Sequence, residues 1–337
     1  MVLLINTKMD NKRTVSIEQG NGGKEMNSLL GSLIHKFERG KKWENFTNDS
    51  ATYKLPNENF LCFTTDSFVV DPIKFPGGDI GHLAMCGTIN DLAVMGADPI
   101  GLSLAYIIEE GFDRELLEEI NNSIAKISSE FKIPVVTGDT KVMQRGTIDK
   151  IVINTSGVGI AKKILTKKIQ IGDKIILSGS IGEHGVALLS KRFDFDTMIK
   201  SDSKPVILEM KKIRNLIKIA KDPTRGGVSA SLNEIAKDNS LLIEIEENKI
   251  PIKKEVKTAT KLLGLEPLEL ANEGRIVCFV SKKDSNKVLG LLKKFNSTAQ
   301  IIGEVKDNNK NGRVILKTEL GTRILSVPSG KIVPRIC

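Results

Sequence analysis

The chain has 337 residues, enough to bury a sizeable core and to form two domains rather than one. Its 40% apolar and 27% charged residues are ordinary for a globular protein, and no apolar run is long enough to span a bilayer. The net charge of +9 is spread over many segments and aromatics are only 4%, which argues against nucleic-acid binding and leaves attraction of an anionic small molecule or an acidic partner.

Residues 1–45 read as an irregular arm with the Gly-rich segment Gly20-Asn21-Gly22-Gly23, and helical spacing over 29–37. Residues 60–70, rich in β-branched and aromatic side chains, predict a strand, 79–96 a helix and 101–108 a second strand. Leu116, Leu117, Ile120, Ile124 and Ile127 then recur at helical spacing behind Asp113, a capping residue, and this helix has to stop before Pro134. Strands follow over 133–136 and 150–160.

A lysine-rich connector at 161–172 marks a boundary, giving units over 46–165 and 166–325. The second unit starts with a strand at 174–178 and predicts helices at 183–192, 206–220, 227–237, 253–263 and 286–294. Its other strands fall at 241–245, 275–280, 301–305 and 313–317. Such alternation predicts α/β layers. Residues 326–337 carry Pro328, Gly330 and Pro334 and no helical period, so they read as an extended, mobile tail. At about 3.3 Å per residue, roughly twelve residues reach about 40 Å, enough to enter a cleft on the same or another molecule.

Cys62, Cys86, Cys278 and Cys337 stand far apart without a CxxC, which excludes a zinc ribbon and a thioredoxin-like motif. The first three lie in apolar surroundings and read as small buried hydrophobes, and the expected location is the cytoplasm. His35, His82 and His184 share no metal-ligand spacing.

Neither a Walker A loop nor a GxGxxG after a strand is present. Instead, acidic residues interrupt or end apolar segments: Asp66 in a strand, Asn90 and Asp91 in an apolar helix, Asp139 with Thr140 and Lys141 after a strand, Asp222 in Asp222-Pro223-Thr224-Arg225-Gly226-Gly227, and Glu273 in Ala271-Asn272-Glu273-Gly274. Any one of these alone reads as a turn or a cap. Together, carboxylates beside apolar runs need partners or a cation, and Mg²⁺ takes hard oxygen ligands alongside phosphates, so the set suits a Mg²⁺–ATP site with Lys141 on the phosphates.

The segments TTDSFVVDPIKFPGGDIGHLAMCGTINDLAVMGADP, VVTGDTKVM, INTSGVGIA, DPTRGGV, LNEIA, LLGLEPLELANEG and the terminal PRIC resemble HypE, the carbamoyl dehydratase of NiFe-hydrogenase maturation, in the aminoimidazole ribonucleotide synthetase superfamily. They keep the family's order and cover most of the chain. TTDS, GDTK and DPTRGG are partly shared across the superfamily, whereas the ending PRIC separates HypE from its relatives. One departure is Gln19, where the family usually carries a His before the arm glycines.

The resemblance implies a two-domain α/β fold. An N-terminal mixed-sheet domain forms the interface of a homodimer, a C-terminal α/β domain follows, and the tail is flexible. It implies ATP in the cleft between the domains, with Gly22 and Gly23 near its phosphates. Asp66, Asp91, Asp139 and Asp222 become Mg²⁺ ligands, while Asn90, Thr140 and Lys141 join the nucleotide site. Cys337 would receive a carbamoyl group from the carbamoyltransferase HypF and be dehydrated to a thiocyanate, with Glu273 as general base and the neighbouring Arg335 favouring the thiolate. The cyano group would pass to an iron scaffold complex of HypC and HypD. A superfamily kinase or selenophosphate synthetase would share the aspartates without the terminal cysteine, and a non-catalytic carrier would need the cysteine without Lys141 or Asp139.

Overall fold

The computed structural model describes residues 14–38, 40–329, 333 and 335–337. The rest of the arm and the remaining tail positions lie outside the described residues. The arm's helix α1 spans Lys24–Ile34, starting five residues before the predicted one, because Gly23 in extended backbone serves as its N-cap. The glycines therefore lie directly at a helix N-terminus.

The N-terminal unit holds strands β1 (Trp43–Glu44), β2 (Ala51–Lys54) and β3 (Phe60–Phe68), the small pair β4 (Lys74–Phe75) and β5 (Gly78–Asp79), and helix α2 (Ile80–Val94). It continues with β6 (Asp98–Glu109), α3 (Arg114–Phe131), β7 (Val135–Met143) and β8 (Ile151–Ala161). Its mixed sheet has the order β1-β2-β3-β8-β6-β7, with β6 and β7 parallel and the other pairs antiparallel. Asp113 caps α3, its carboxylate accepting from the N–H groups of Glu115 and Leu116. Asp79 caps α2 in the same way.

The C-terminal unit runs β9 (Lys174–Leu177), α4 (Glu183–Arg192), α5 (Ile207–Ile213), β10 (Ile217–Lys221), α6 (Gly227–Asp238) and β11 (Leu241–Glu246). After these come α7 (Lys254–Leu263), β12 (Val277–Val280), α8 (Ser285–Leu292), β13 (Gln300–Asn308), β14 (Arg313–Thr318) and β15 (Gly321–Ile324). The sheet order is β10-β12-β9-β13-β11-β14-β15. The single helix predicted over 206–220 is corrected to α5 followed by β10: from Ile217 the chain pairs antiparallel with β12, and sheet burial overrides the helical spacing.

Nearly every residue of α2 is buried, as befits a helix apolar on all sides. One face lies on β3 and β8; α3, α5 and β10 pack around the rest, so a single core cluster runs through both units. Burial of α2 also fixes where its one acidic residue, Asp91, emerges. Cys62, Cys86 and Cys278 are fully buried, as their apolar surroundings predict. No helix among the described residues is long and apolar enough to cross a membrane.

Candidate active site

A cleft of about 460 Å³ opens where the arm, the two units and the chain end meet. The N-terminal unit contributes Asp49, Asp66 and Asp91, the C-terminal unit Lys221, Asp222, Arg225 and Glu273, the arm Met26 and Asn27, and the tail Cys337. A larger groove of about 740 Å³ between Glu246 and Glu319 contains none of the candidate site residues.

Each acidic group reaches the cleft by a different route. On β3, Cys62, Thr64 and Phe68 point into the core, and the same alternation turns Asp66 to that face at the strand's outer end. Asp91 projects from α2, where Thr64 Oγ1 donates to its Oδ2 at 2.6 Å. Asp222 follows β10 on the turn into α6, made by Gly226 and Gly227, both with positive φ. Glu273 is held by its main chain, whose N–H donates to Asp202 at 3.2 Å and whose carbonyl accepts from Asn90 at 3.1 Å. Asn272 braces this loop, accepting from the Gly182 N–H at 2.7 Å and donating to the carbonyls of Pro223 and Leu270.

Burial raises the carboxyl pKa values, most strongly for Asp91, Asp222 and Glu273, and their mutual repulsion adds to it. Asp66 is raised as well, although Arg225 and a hydrogen bond with Asp91 oppose the shift. Asp49 Oδ2, Asp222 Oδ2 and Glu273 Oε1 are buried with no hydrogen-bond partner among the described residues. Hard oxygens that lack partners and repel one another suit a divalent cation. No group of three His, Cys, Asp or Glu among the described residues converges to hold a metal ion.

Asn90 is fully buried, and its amide is spent inside the protein: it donates to the carbonyls of Lys204 and Glu273 and accepts from the Val206 N–H at 2.8 Å. Expected at the nucleotide, it instead braces the loop that carries Glu273. Asp139, Thr140 and Lys141 do not line the cleft. They lie within β7 rather than after a strand, on the exposed edge of the N-terminal sheet. Asp139 is in register with Ala105, Asn154 and Ser67, three strands from β3 or about 14 Å at ~4.8 Å per strand.

The arm touches the cleft through Gly22, which packs on Arg225. With φ +79°, its missing Cβ leaves room for Arg225, and a side chain there would overlap Arg225 Cβ. Asp49 and Lys221 went unread in the sequence because neither sits in a recognisable spacing. Arg225 is a cation that lines the cleft with Cys337, and its guanidinium lies 3.9 Å from Asp66. The cation expected beside the thiol, Arg335, instead pairs with Asp149. The docked thiol is pushed well above its ordinary pKa by burial, which outweighs Arg225.

Comparison with known proteins fits this geometry. Residues 47–161 match the AIR synthase related protein N-terminal domain, and residues 170–315 its C-terminal domain. The carbamoyl dehydratase HypE of Rhizobium leguminosarum bv. viciae is 40% identical over 335 residues, covering 96% of this chain and 95% of that protein. The chain belongs to the HypE family. The HypE structure solved in a HypE–HypF complex has 40% identity and a TM-score of 0.81, covering 91% of this chain and all of the other. HypE solved in complex with ATP has 36% identity and a TM-score of 0.79, covering 96% and 100%. A thiamine monophosphate kinase at 18% identity shares the fold alone, with a TM-score of 0.65. The two matching domains thus account for both units.

Proposed function

We propose that this chain is an ATP-dependent carbamoyl dehydratase of hydrogenase maturation, acting on the S-carbamoyl group of its own Cys337. The observation that carries this reading is the place of Cys337, which lines one cleft with Asp66, Asp91, Asp222, Arg225 and Glu273. A carrier would have no reason to bring its sulfur among these carboxyls, and a small-molecule kinase would leave that place to its substrate.

The amide oxygen of –S–CO–NH₂ is a poor leaving group. Transfer of the γ-phosphoryl group of ATP to it makes that oxygen part of a phosphate, which departs as the nitrogen gives up its protons and –S–C≡N forms. The products are ADP, phosphate and one proton. Glu273 Oε1, buried and without a hydrogen-bond partner among the described residues, accepts a proton from nitrogen. Burial that raises its pKa also makes the ionised carboxylate a stronger base. Arg225 stands beside the sulfur and supplies positive charge near the leaving oxygen. One or two of Asp49, Asp66, Asp91 and Asp222, together with phosphate oxygens and water, would hold Mg²⁺, which when bound neutralises charge on the phosphates.

The uncovered sheet supports a homodimer. All nine residues of β7 are exposed, Val136 and Val142 at 63% and 67%, and Phe63 lies bare on β3. A long exposed edge strand is a pairing surface. Joining two sheets there would set Asp139, Thr140 and Lys141 against the neighbouring chain, and on this reading they serve the phosphates bound in that chain's cleft. The carbamoyl group comes from HypF, and the cyano group goes to iron held by HypC and HypD.

The test is intact mass spectrometry of the chain carrying S-carbamoyl Cys337. With ATP and Mg²⁺ the adduct is expected to lose the mass of one water, and the Glu273→Gln chain to retain it. An adduct that stays whole in the native chain while ATP is consumed would overturn the reading.

A further inference from the structure

The chain end is held in the cleft by its backbone. The Asp71 N–H donates to the Arg335 carbonyl at 3.1 Å and the Val69 N–H to the terminal oxygen of Cys337 at 3.4 Å. Between these, the Ile336 carbonyl points the other way and accepts from His184 Nε2 at 2.7 Å. Arg192 adds a bond to the Arg335 carbonyl at 3.1 Å. The Ile336 side chain is only 5% exposed and joins the main core.

His184 lies on α4 and is fully buried. A carbonyl only accepts, so Nε2 carries the proton, and Nδ1 is left to accept from Ser201 Oγ at 2.8 Å. Ser201 in turn accepts from the Ser203 N–H at 3.0 Å, and Phe75 packs edge-on against the imidazole at 5.4 Å. Tautomer and ring orientation are thereby fixed. With the tail withdrawn, the Nε2–H would lose the one acceptor it has here, in a site where burial also disfavours the charged ring.

We propose that His184, assisted by Arg192, is a positioning clasp that sets the depth at which Cys337 enters the cleft. It rests on the reading of Cys337 as the reacting sulfur. The clasp grips a main-chain carbonyl one residue before the sulfur, so it holds the free thiol, the carbamoyl adduct and the thiocyanate in one register. Arg192 Nη2 also bonds the Asp71 carbonyl, which ties the clasp to the segment that pairs with the tail.

The experiment is the alkylation rate of Cys337 by iodoacetamide in the full chain, without ATP, read by mass spectrometry of the C-terminal peptide. In His184→Leu the rate is expected to rise about 10-fold, since an undocked thiol regains its ordinary acidity and access. His184→Gln, whose amide donates at similar reach, is expected to restore a rate near the native one. Cys62, Cys86 and Cys278, all fully buried, report on folding. If they react in His184→Leu, Arg192→Met takes its place, with a severalfold rise expected. An unchanged Cys337 rate in whichever of these variants keeps the three cysteines protected overturns the clasp. Because no step of this assay uses ATP or the carbamoyl group, a failure of dehydration leaves it standing, and its own failure leaves dehydration standing.

Discussion

Lys221 and Asp49 meet across the cleft from opposite units, Nζ to Oδ1 at 3.2 Å, and Glu234 accepts from the same ammonium at 3.0 Å. Burial opposes the lysine's charge, yet Asp49 and Glu234 together hold its pKa above the ordinary value. Breaking a buried pair by removing one partner strands the other charge. Lys221→Met is therefore expected to lower the unfolding free energy by about 3 kcal/mol, measured by urea titration. Saturating Mg²⁺ and ATP are expected to recover part of the loss, because a cation beside Asp49 replaces the missing charge. An unchanged midpoint would mean the two units are held together elsewhere.

Glu273 makes the folded chain sensitive to alkali. Burial, then Asp222 and Asp202, raise its pKa well above 4.5. Above that ordinary value the unfolded chain has released the proton while the folded chain still holds it. Stability is thus intact below about pH 4.5 and falls as pH rises toward the folded pKa. Glu273→Gln removes this term, so it is expected to raise Tm by a few degrees at pH 7.5 and by nothing at pH 4.5, while abolishing dehydration. Differential scanning calorimetry at the two pH values checks it, and an equal gain at both would assign the effect to packing.

Gly22 couples the arm to the site through one close approach. Its φ of +79° disfavours a side chain, and a Cβ there would strike Arg225. Gly22→Ala is expected to displace the arm and the guanidinium together. The KM for ATP should rise about 10-fold, with a Tm within about 2 °C of native because the arm adds little to the core. A shift in Tm without one in KM would place the arm's role in folding.

The acidic motifs were legible because a carboxylate inside an apolar segment needs a reason to be there, and Asp66, Asp91, Asp222 and Glu273 do converge on one cleft. Asp49 was not, since Asn48-Asp49-Ser50 has the composition of a turn and only the β2–β3 pairing carries it to the site. Nor was the break inside 206–220: Met210 and Ile213 keep helical spacing with Ile217, so the change of period at Leu216 is hidden. Asn90 shows the reverse error. A polar residue in a buried helix signals a partner without saying whether that partner is a ligand or the protein's own carbonyls.

Lys141 poses the sharpest test, because in a single chain it lies on a sheet edge away from the cleft. If it acts on the neighbouring chain's phosphates, Lys141→Ala abolishes dehydration in a dimer of identical chains, and Cys337→Ala does so by removing the substrate sulfur. Mixing the two variants forms dimers in which one cleft combines a native Cys337 with the native Lys141 of its neighbour. Dehydration should then reappear at about a quarter of the native rate, since random pairing makes half the dimers mixed and each has one complete cleft. Negative charge introduced at the edge, Val136→Glu with Val142→Glu, is expected to yield monomers by light scattering and to abolish that recovery. Mixed chains that stay inactive while forming dimers would put Lys141 outside the chemistry, and activity in the monomeric variant would show that one chain suffices.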